Sequence, residues 1–350
     1  MRKISGTFKT GLLACALTLG TSSATQAAGF KVVHYFAGGS GDGALPNEVL
    51  PLDNNHLYLT TYEGGANGAG TVSLVHKDGS VTVLHSFGAD ADDGKFAAGS
   101  LTFDHNPDGS LSLLGTTSAG GQPNYGTIFE IGLDGGQYAR VYDFQGNQSG
   151  DGREPTAGLA FDSKDRYFYG TTRIGGDANN NGTLFKFGGY YHGYSYAVAL
   201  RFGLGHPWDP ANPYATPFIS ADNGDIYTTE AAGGGYLLGD LTAIDISGQG
   251  RDVHSFAGTV NDDGANREGT LVEYNGYFYG TTTYGGSDGL GTIFKVRWNG
   301  GEYSLLYSFK GVCCGRSDGS FPVGGLVLKN GQLYGTTING GSASDLGTVF

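Results

Sequence analysis

The sequence predicts an all-β fold: a six-bladed β-propeller, four antiparallel strands per blade, with the last blade closed by the N-terminal strand. Three observations predict it. A strand, a glycine-rich loop and a second strand recur six times, as LTTYEGGANGAGTVS from Leu59, LGTTSAGGQPNYGTIF from Leu114, YGTTRIGGDANNNGTLF from Tyr169, YTTEAAGGGYLLGDLTAI from Tyr227, YGTTTYGGSDGLGTIF from Tyr279 and YGTTINGGSASDLGTVF from Tyr334. Asn-Gly or Asp-Gly joins the flanking strands of most copies, as at Asp78-Gly79, Asp134-Gly135, Asn275-Gly276 and Asn330-Gly331. Such pairs supply the φ > 0 that two-residue hairpins need, and hairpins at every joint suit a blade rather than a parallel solenoid. The count also closes. A lone fourth strand, Lys31 to Phe36, precedes five full units, and the last unit stops after its third strand at Phe350. A truncated longer array is the competing reading.

Each unit is built from the same parts. The first strand follows an Asp-Gly, the second is aromatic and ends in Thr-Thr, the third follows Gly-Thr, and the fourth ends in Phe, at Phe87, Phe144, Phe202, Phe256 and Phe309. The 65 glycines accompany 22 Tyr and 20 Phe. That combination marks turns in a β-protein rather than a disordered chain, which would lack the aromatics.

Before the first unit, Arg2, Lys3 and Lys9 precede a short apolar core, Gly11 to Gly20, and small residues follow at Thr25-Gln26-Ala27. Residues 1–27 are expected to be a signal peptide and residues 28–350 a single propeller. The expected location is secreted, periplasmic or cell-surface. No apolar run is long enough to span a bilayer as a helix. Losing the three basic leader residues takes the formal charge from −13 to −16, which disfavours nucleic acid and anionic membranes as partners. Cys313 and Cys314 would remain after cleavage, either as a strained vicinal disulfide or as thiols.

The unit YGTTxxGGxxxxGTVF, followed by an aromatic-Phe strand and DGxxP, resembles the GloVer-type tandem repeat of secreted bacterial proteins, often grouped as choice-of-anchor repeat proteins. The match spans nearly all of the expected mature chain and is weakest in the fourth copy. It implies an exported β-propeller-like protein and no settled reaction, so no catalytic residue carries over. Members with a C-terminal sorting anchor differ, since this sequence stops at Phe350.

Function is expected on the face that carries the Asp-Gly and double-glycine loops, because loops on a rigid scaffold carry binding sites. Letters shared by all copies, including Asp42, Asp93, Asp151, Asp263 and Asp318, suit turn caps; a ring of functional carboxylates is the sharper alternative. Letters that vary are the candidates: Tyr62, Glu63, Arg153, Glu154, Arg173, His206, Trp208, Glu230, Arg267, Tyr284 and Arg316. Their aromatic faces and planar charges suit a polysaccharide or a cell-surface glycan or protein, bound by a monomer. An ordinary solvated rim competes with this reading.

If the protein is an enzyme, Tyr284, His206, Arg173 and Arg267 are the expected catalytic set of a lyase on uronic-acid polymers, with Arg offsetting the carboxylate and Tyr or His as base. A glycosidase would use two of Glu63, Glu154 and Glu230. A purely structural envelope protein is the third reading. No cofactor is expected, apart from calcium at Asp177, Asn179 and Asn181, a loop that begins like an EF-hand but lacks its bidentate Glu. Asp90, Asp92 and Asp93 form a weaker second candidate. The sequence contains no HExxH or Walker motif.

Overall fold

The computed structural model describes residues 36, 38–53, 55–189, 192–203, 211–220, 223–232, 234–245, 249–259, 262–311, 319–322, 325–329, 331–339 and 348–350. The expected leader, Cys313-Cys314 and all of the expected strand Lys31 to Phe36 except Phe36 lie outside them. The chain forms a β-propeller. Blade one pairs Gly43–Pro46 and Leu50–Pro51 with His56–Gly64, followed by Thr71–His76 and Val81–Ser86. Blades two to five repeat this order, with second strands Leu111–Gly120, Phe168–Thr172, Ile226–Ala232 and Tyr277–Gly285.

Six blades were expected, and the described residues complete five. Beyond these, Ser320–Pro322, Thr336–Asn339 and Thr348–Val349 form a three-stranded sheet, and Val327–Lys329 pairs with Gln332–Tyr334. The unit after blade five therefore has no fourth strand among the described residues. A second difference is that each first strand is split in two.

The shared letters are scaffold. The second Thr of each Thr-Thr meets the Thr of Gly-Thr across the sheet, hydroxyl to hydroxyl, in Thr61–Thr71, Thr117–Thr127, Thr172–Thr183 and Thr282–Thr292 at 2.7–2.9 Å. The glycine of Gly-Thr is required sterically: at Gly70, Gly126 and Gly182 a Cβ would lie 2.2–2.4 Å from the preceding strand's carbonyl oxygen, and φ is +92° to +99°. The terminal Phe of each fourth strand is buried, and all but Phe202 meet a third-strand Phe of the next unit. Centroids are 5.1–5.2 Å apart in Phe87–Phe129, Phe144–Phe185, Phe256–Phe294 and Phe309–Phe350. Edge-on aromatic contacts of this kind add to plain apolar burial.

A polar clamp accompanies each of three blade junctions. Asp93, Asp151 and Asp263 are buried, and each carboxylate accepts the N–H of the following glycine at 2.7–2.8 Å. The same oxygen, Oδ1, also accepts a tyrosine hydroxyl, from Tyr138 on Asp93, Tyr196 on Asp151 and Tyr303 on Asp263, while Tyr142 donates to Oδ2 of Asp151. Rings from adjacent blades stack above them at 3.7–3.9 Å, as His85–Tyr138, Tyr142–Tyr196 and His254–Tyr303. Burial alone would raise the Asp93 pKa. The hydrogen bonds from His85, Tyr138 and the Ala89 N–H outweigh it and hold the group at about 2. Asp263 is lowered for the same reason. The two tyrosines on Asp151 are pushed far above the ordinary range by burial and by its charge.

Candidate functional site: the loop face and the channel collar

Two residues after each unit-opening Asp-Gly, and after Asp209-Pro210 in blade four, a residue other than glycine enters the left-handed region. Leu45, Phe96, Glu154, Asn212, Asn266 and Phe321 have φ of 51–59°. Five of them donate their N–H across the junction to the residue before the previous unit's Gly-Thr, at 2.6–2.9 Å, for example Phe96 to the Ala69 carbonyl and Glu154 to that of Tyr125. The strain is of order 1–2 kcal/mol per residue and is offset by that inter-blade bond. Its consequence is positional. The left-handed residue and the variable loop residues of a neighbouring blade meet on the loop face.

The meetings differ in chemistry. Tyr62 stacks on Phe96 at 5.2 Å, and Tyr284 meets Phe321 at 5.4 Å. Both tyrosines stay open to solvent, at 37% and 45% exposure. Arg173 forms an ion pair with Glu154 of its own blade and also interacts with Tyr214 of the next. Burial works against the Arg173 charge, but Glu154 and Tyr214 more than compensate and raise its pKa. Arg153 lies over the Tyr125 ring at 5.4 Å and reaches Asn180. Glu63 is exposed opposite Ala44. The Arg267 backbone lies in Gly264–Glu268; its side chain, and His206, Trp208 and Arg316, lie outside what is described. No contact joins Tyr284 to Arg173 among the described residues.

Below this face the split first strands frame a central cavity of about 200 Å³. Its lining is small or hydroxylic, including Gly99, Ser100, Thr156, Thr216 and Thr270, with Tyr214 connecting it to Arg173. Glu48 is the one charged side chain among the described lining residues. Its surroundings are protein even though water reaches it, so desolvation raises its pKa, opposed by a hydrogen bond from Thr270.

Glu230 is not on the rim where its sequence position suggested. Its Cα pairs with Asp240 and with Pro213, which is the register of Thr61 with Thr71 and Pro46. It occupies the buried second-Thr position, and both Glu230 and Asp240 are 0% exposed. Burial pushes both carboxyls well above the usual range; for Glu230, Thr228 and Thr242 oppose this weakly, and for Asp240 the Glu230 and Asp252 charges add to it. Counting back from the double glycine, rather than forward from Thr-Thr, would have found this position.

Some groups of the calcium candidates take part in local hydrogen bonds. The Asp177 carboxylate accepts the Asn179 N–H at 2.9 Å, and the Asn181 carbonyl accepts the N–H of Asn212. Asp90 caps the N–H groups of Asp92 and Asp93. Among the described residues no three His, Cys, Asp or Glu side chains gather as a metal centre, and no helix there is long and apolar enough to cross a membrane.

With the repeated junctions and the varied loop face established, comparison with known sequences is decisive on ancestry. The Gloeobacter/Verrucomicrobia repeat matches residues 17–215 and 193–350. The chain belongs to this repeat family. No curated protein matches it. In fold it is similar to a puromycin-hydrolyzing peptidase of Mycobacterium tuberculosis, with TM-score 0.50, 11% identity, and 83% of this chain and 43% of that one covered. A putative 6-phosphogluconolactonase from Bacteroides uniformis gives TM-score 0.48 and 12% identity over 86% of this chain and 82% of that one. The tricorn protease gives 0.42 and 13%, over 83% and 25%. The repeat protein thus spans less than half the length of the peptidase chains, and at these identities the likeness is one of propeller fold alone.

Proposed function

We propose that this repeat protein is an exported binding propeller whose loop face recognises a glycan or a glycan-bearing surface. The observation that carries the reading is the pair of open aromatic contacts, Tyr62 on Phe96 and Tyr284 on Phe321, each formed across a blade junction. A sugar ring presents an apolar face to such platforms, and the left-handed neighbour holds each ring in place before binding. The Arg173–Glu154 pair adds hydrogen-bonding groups beside them. A lyase reading has less support, because the Arg173 charge is already balanced by Glu154.

The test is calorimetric titration of the protein against a panel of neutral and uronic-acid polysaccharides, with absorbance near 235 nm followed for unsaturated products (roughly where a β-elimination product absorbs). Binding without product is expected, and Tyr62→Ala and Tyr284→Ala should each weaken it about tenfold, or ~1.4 kcal/mol. Unchanged binding by the double variant would sink the aromatic-platform reading. Accumulating product would replace it with the lyase. Recovery of the protein only in the cytoplasmic fraction would remove export.

A further inference from the structure

Blade four departs from its neighbours in the interior. In blades two, three and five, and in the unit after them, a second-strand glycine pairs with a third-strand Phe: Gly115–Phe129, Gly170–Phe185, Gly280–Phe294 and Gly335–Phe350. The glycine has no Cβ because the ring fills that space, with Phe Cζ 2.4–2.7 Å from where the Cβ would be. Blade four places Thr228 opposite Thr242 in this register. The phenyl ring is gone and two hydroxyls stand in its place. Two residues along, Glu230 opposite Asp240 replaces the Thr–Thr pair. Alternation in a strand puts residues i and i+2 on one face, and cross-strand partners share that face. Thr228, Thr242, Glu230 and Asp240 therefore form one two-by-two patch of oxygen-bearing side chains.

The patch is closed and polar. Its exposures are 1%, 2%, 0% and 0% in that order. Both Glu230 carboxylate oxygens, Asp240 Oδ2 and the hydroxyls of Thr228 and Thr242 have no hydrogen-bond partner among the described residues. The two hydroxyls lie near the Glu230 carboxyl without reaching hydrogen-bond geometry. Ser255 bonds the other Asp240 oxygen loosely, at 3.4 Å. Elsewhere in the molecule the same positions are satisfied, as in the four Thr–Thr pairs. Buried oxygens left unpaired cost roughly 1–3 kcal/mol each, and more if charged, so five of them on one face demand a partner.

We infer that this patch of blade four binds a hard divalent cation of calcium size, held by the Glu230 and Asp240 carboxylates and the Thr228 and Thr242 hydroxyls. The chemistry of the donors selects the ion. All are hard oxygens, with no nitrogen or sulfur among them, and two carboxylates balance a charge of +2 in a site that cannot hold net charge. Calcium tolerates the irregular, partly neutral donor set that a sheet face provides, whereas magnesium demands a near-ideal octahedron with several waters. Exposed Asp252, on the adjacent outer strand opposite Thr242, is near enough to act on Asp240. The inference is independent of the loop-face reading and uses two carboxylates rather than a three-acid cluster.

The full-length protein, stripped with chelator, is titrated with calcium chloride and separately with magnesium chloride at pH 7. Equilibrium dialysis should find one calcium per chain, and the midpoint of thermal unfolding should rise by about 5 °C at a hundredfold excess over Kd. Glu230→Gln should lose the response. The double variant E230T/D240T restores the pair used by the other blades, so it should fold and unfold normally while ignoring calcium. Absence of both bound calcium and any shift in the natural protein would overturn the inference, as would an equal shift in E230T/D240T. Stabilisation by lowered pH alone, with no response to calcium, would show that protons neutralise the pair and would equally overturn it.

Discussion

Asp93, Asp151 and Asp263 each join two blades through one side chain. Asp93→Ala removes the acceptor of the Tyr138 hydroxyl and of the Gly94 and Ala89 N–H groups at once. It should destabilise the protein by about 1–3 kcal/mol in urea unfolding, the cost of leaving buried donors unpaired. Asp93→Asn, which keeps an acceptor oxygen, should cost less; a variant as stable as the natural protein would refute the clamp. The turn-cap role of these residues was legible because Asp-Gly recurs at fixed offsets. Their tyrosine partners were not, since Tyr138 and Tyr303 stand immediately before the fourth strand of the unit that the Asp opens, 45 and 40 residues on, and no local pattern pairs them with it. Glu230 was misplaced because its own unit writes Thr-Thr one residue early, as Thr228-Thr229.

The Gly–Phe pairing sets what each blade interior tolerates. Gly170→Ala would force a Cβ to 2.4 Å from Phe185 Cζ. Overpacking of that kind costs about 1–3 kcal/mol. Thr228, in the equivalent place of blade four, faces Thr242 instead, so Thr228→Gly should cost only about 1 kcal/mol, through backbone entropy. Chemical denaturation of both variants checks the contrast, and equal costs would contradict it. The left-handed residue of each first strand gives a further expectation. Leu45, with φ of 55°, should accept Gly with a change within about 1 kcal/mol and should resist Val by about 1–2 kcal/mol. Hairpins were readable from Asn-Gly and Asp-Gly, because the glycine accepts the positive φ of each turn: both residues are left-handed at Asn275-Gly276, and the glycine alone at Asp78-Gly79, Asp134-Gly135 and Asn299-Gly300. The split of each first strand was not, for the collar residues carry no turn signal: Ala98, Gly99 and Ser100 leave the sheet because neighbouring blades crowd the axis, a property of the ring and not of the segment. The expected count of six was not met: the described residues complete five blades, and the last unit shows no fourth strand among them.

At the scale of the molecule, two sets of carboxyls pull stability in opposite directions with pH. Asp93 is depressed to about 2 and Asp263 is also lowered. A depressed acid contributes stability that is present above its unfolded pKa and lost as pH falls through the folded value, so these groups fail between about pH 3.8 and 2, Asp93 accounting for about 2 kcal/mol. Glu230 and Asp240 are raised, Glu230 to about 8. A raised acid binds its proton more tightly in the folded state, so stability is fully present below the unfolded value near 4.5 and declines as pH climbs toward about 8. Without added cation the protein should therefore be most stable near pH 4–5 (about where neither set is strained) and weaken toward neutrality. E230T/D240T should flatten the alkaline limb and leave the acid limb in place. Glu63→Gln with Asp288→Asn, two exposed sites, takes the formal charge from −13 to −11, the same change that E230T/D240T makes, and should leave the alkaline limb unchanged, which separates the buried pair from general self-repulsion. Urea midpoints measured across the range decide it: an alkaline limb that survives in E230T/D240T would assign the loss to surface charge and not to blade four.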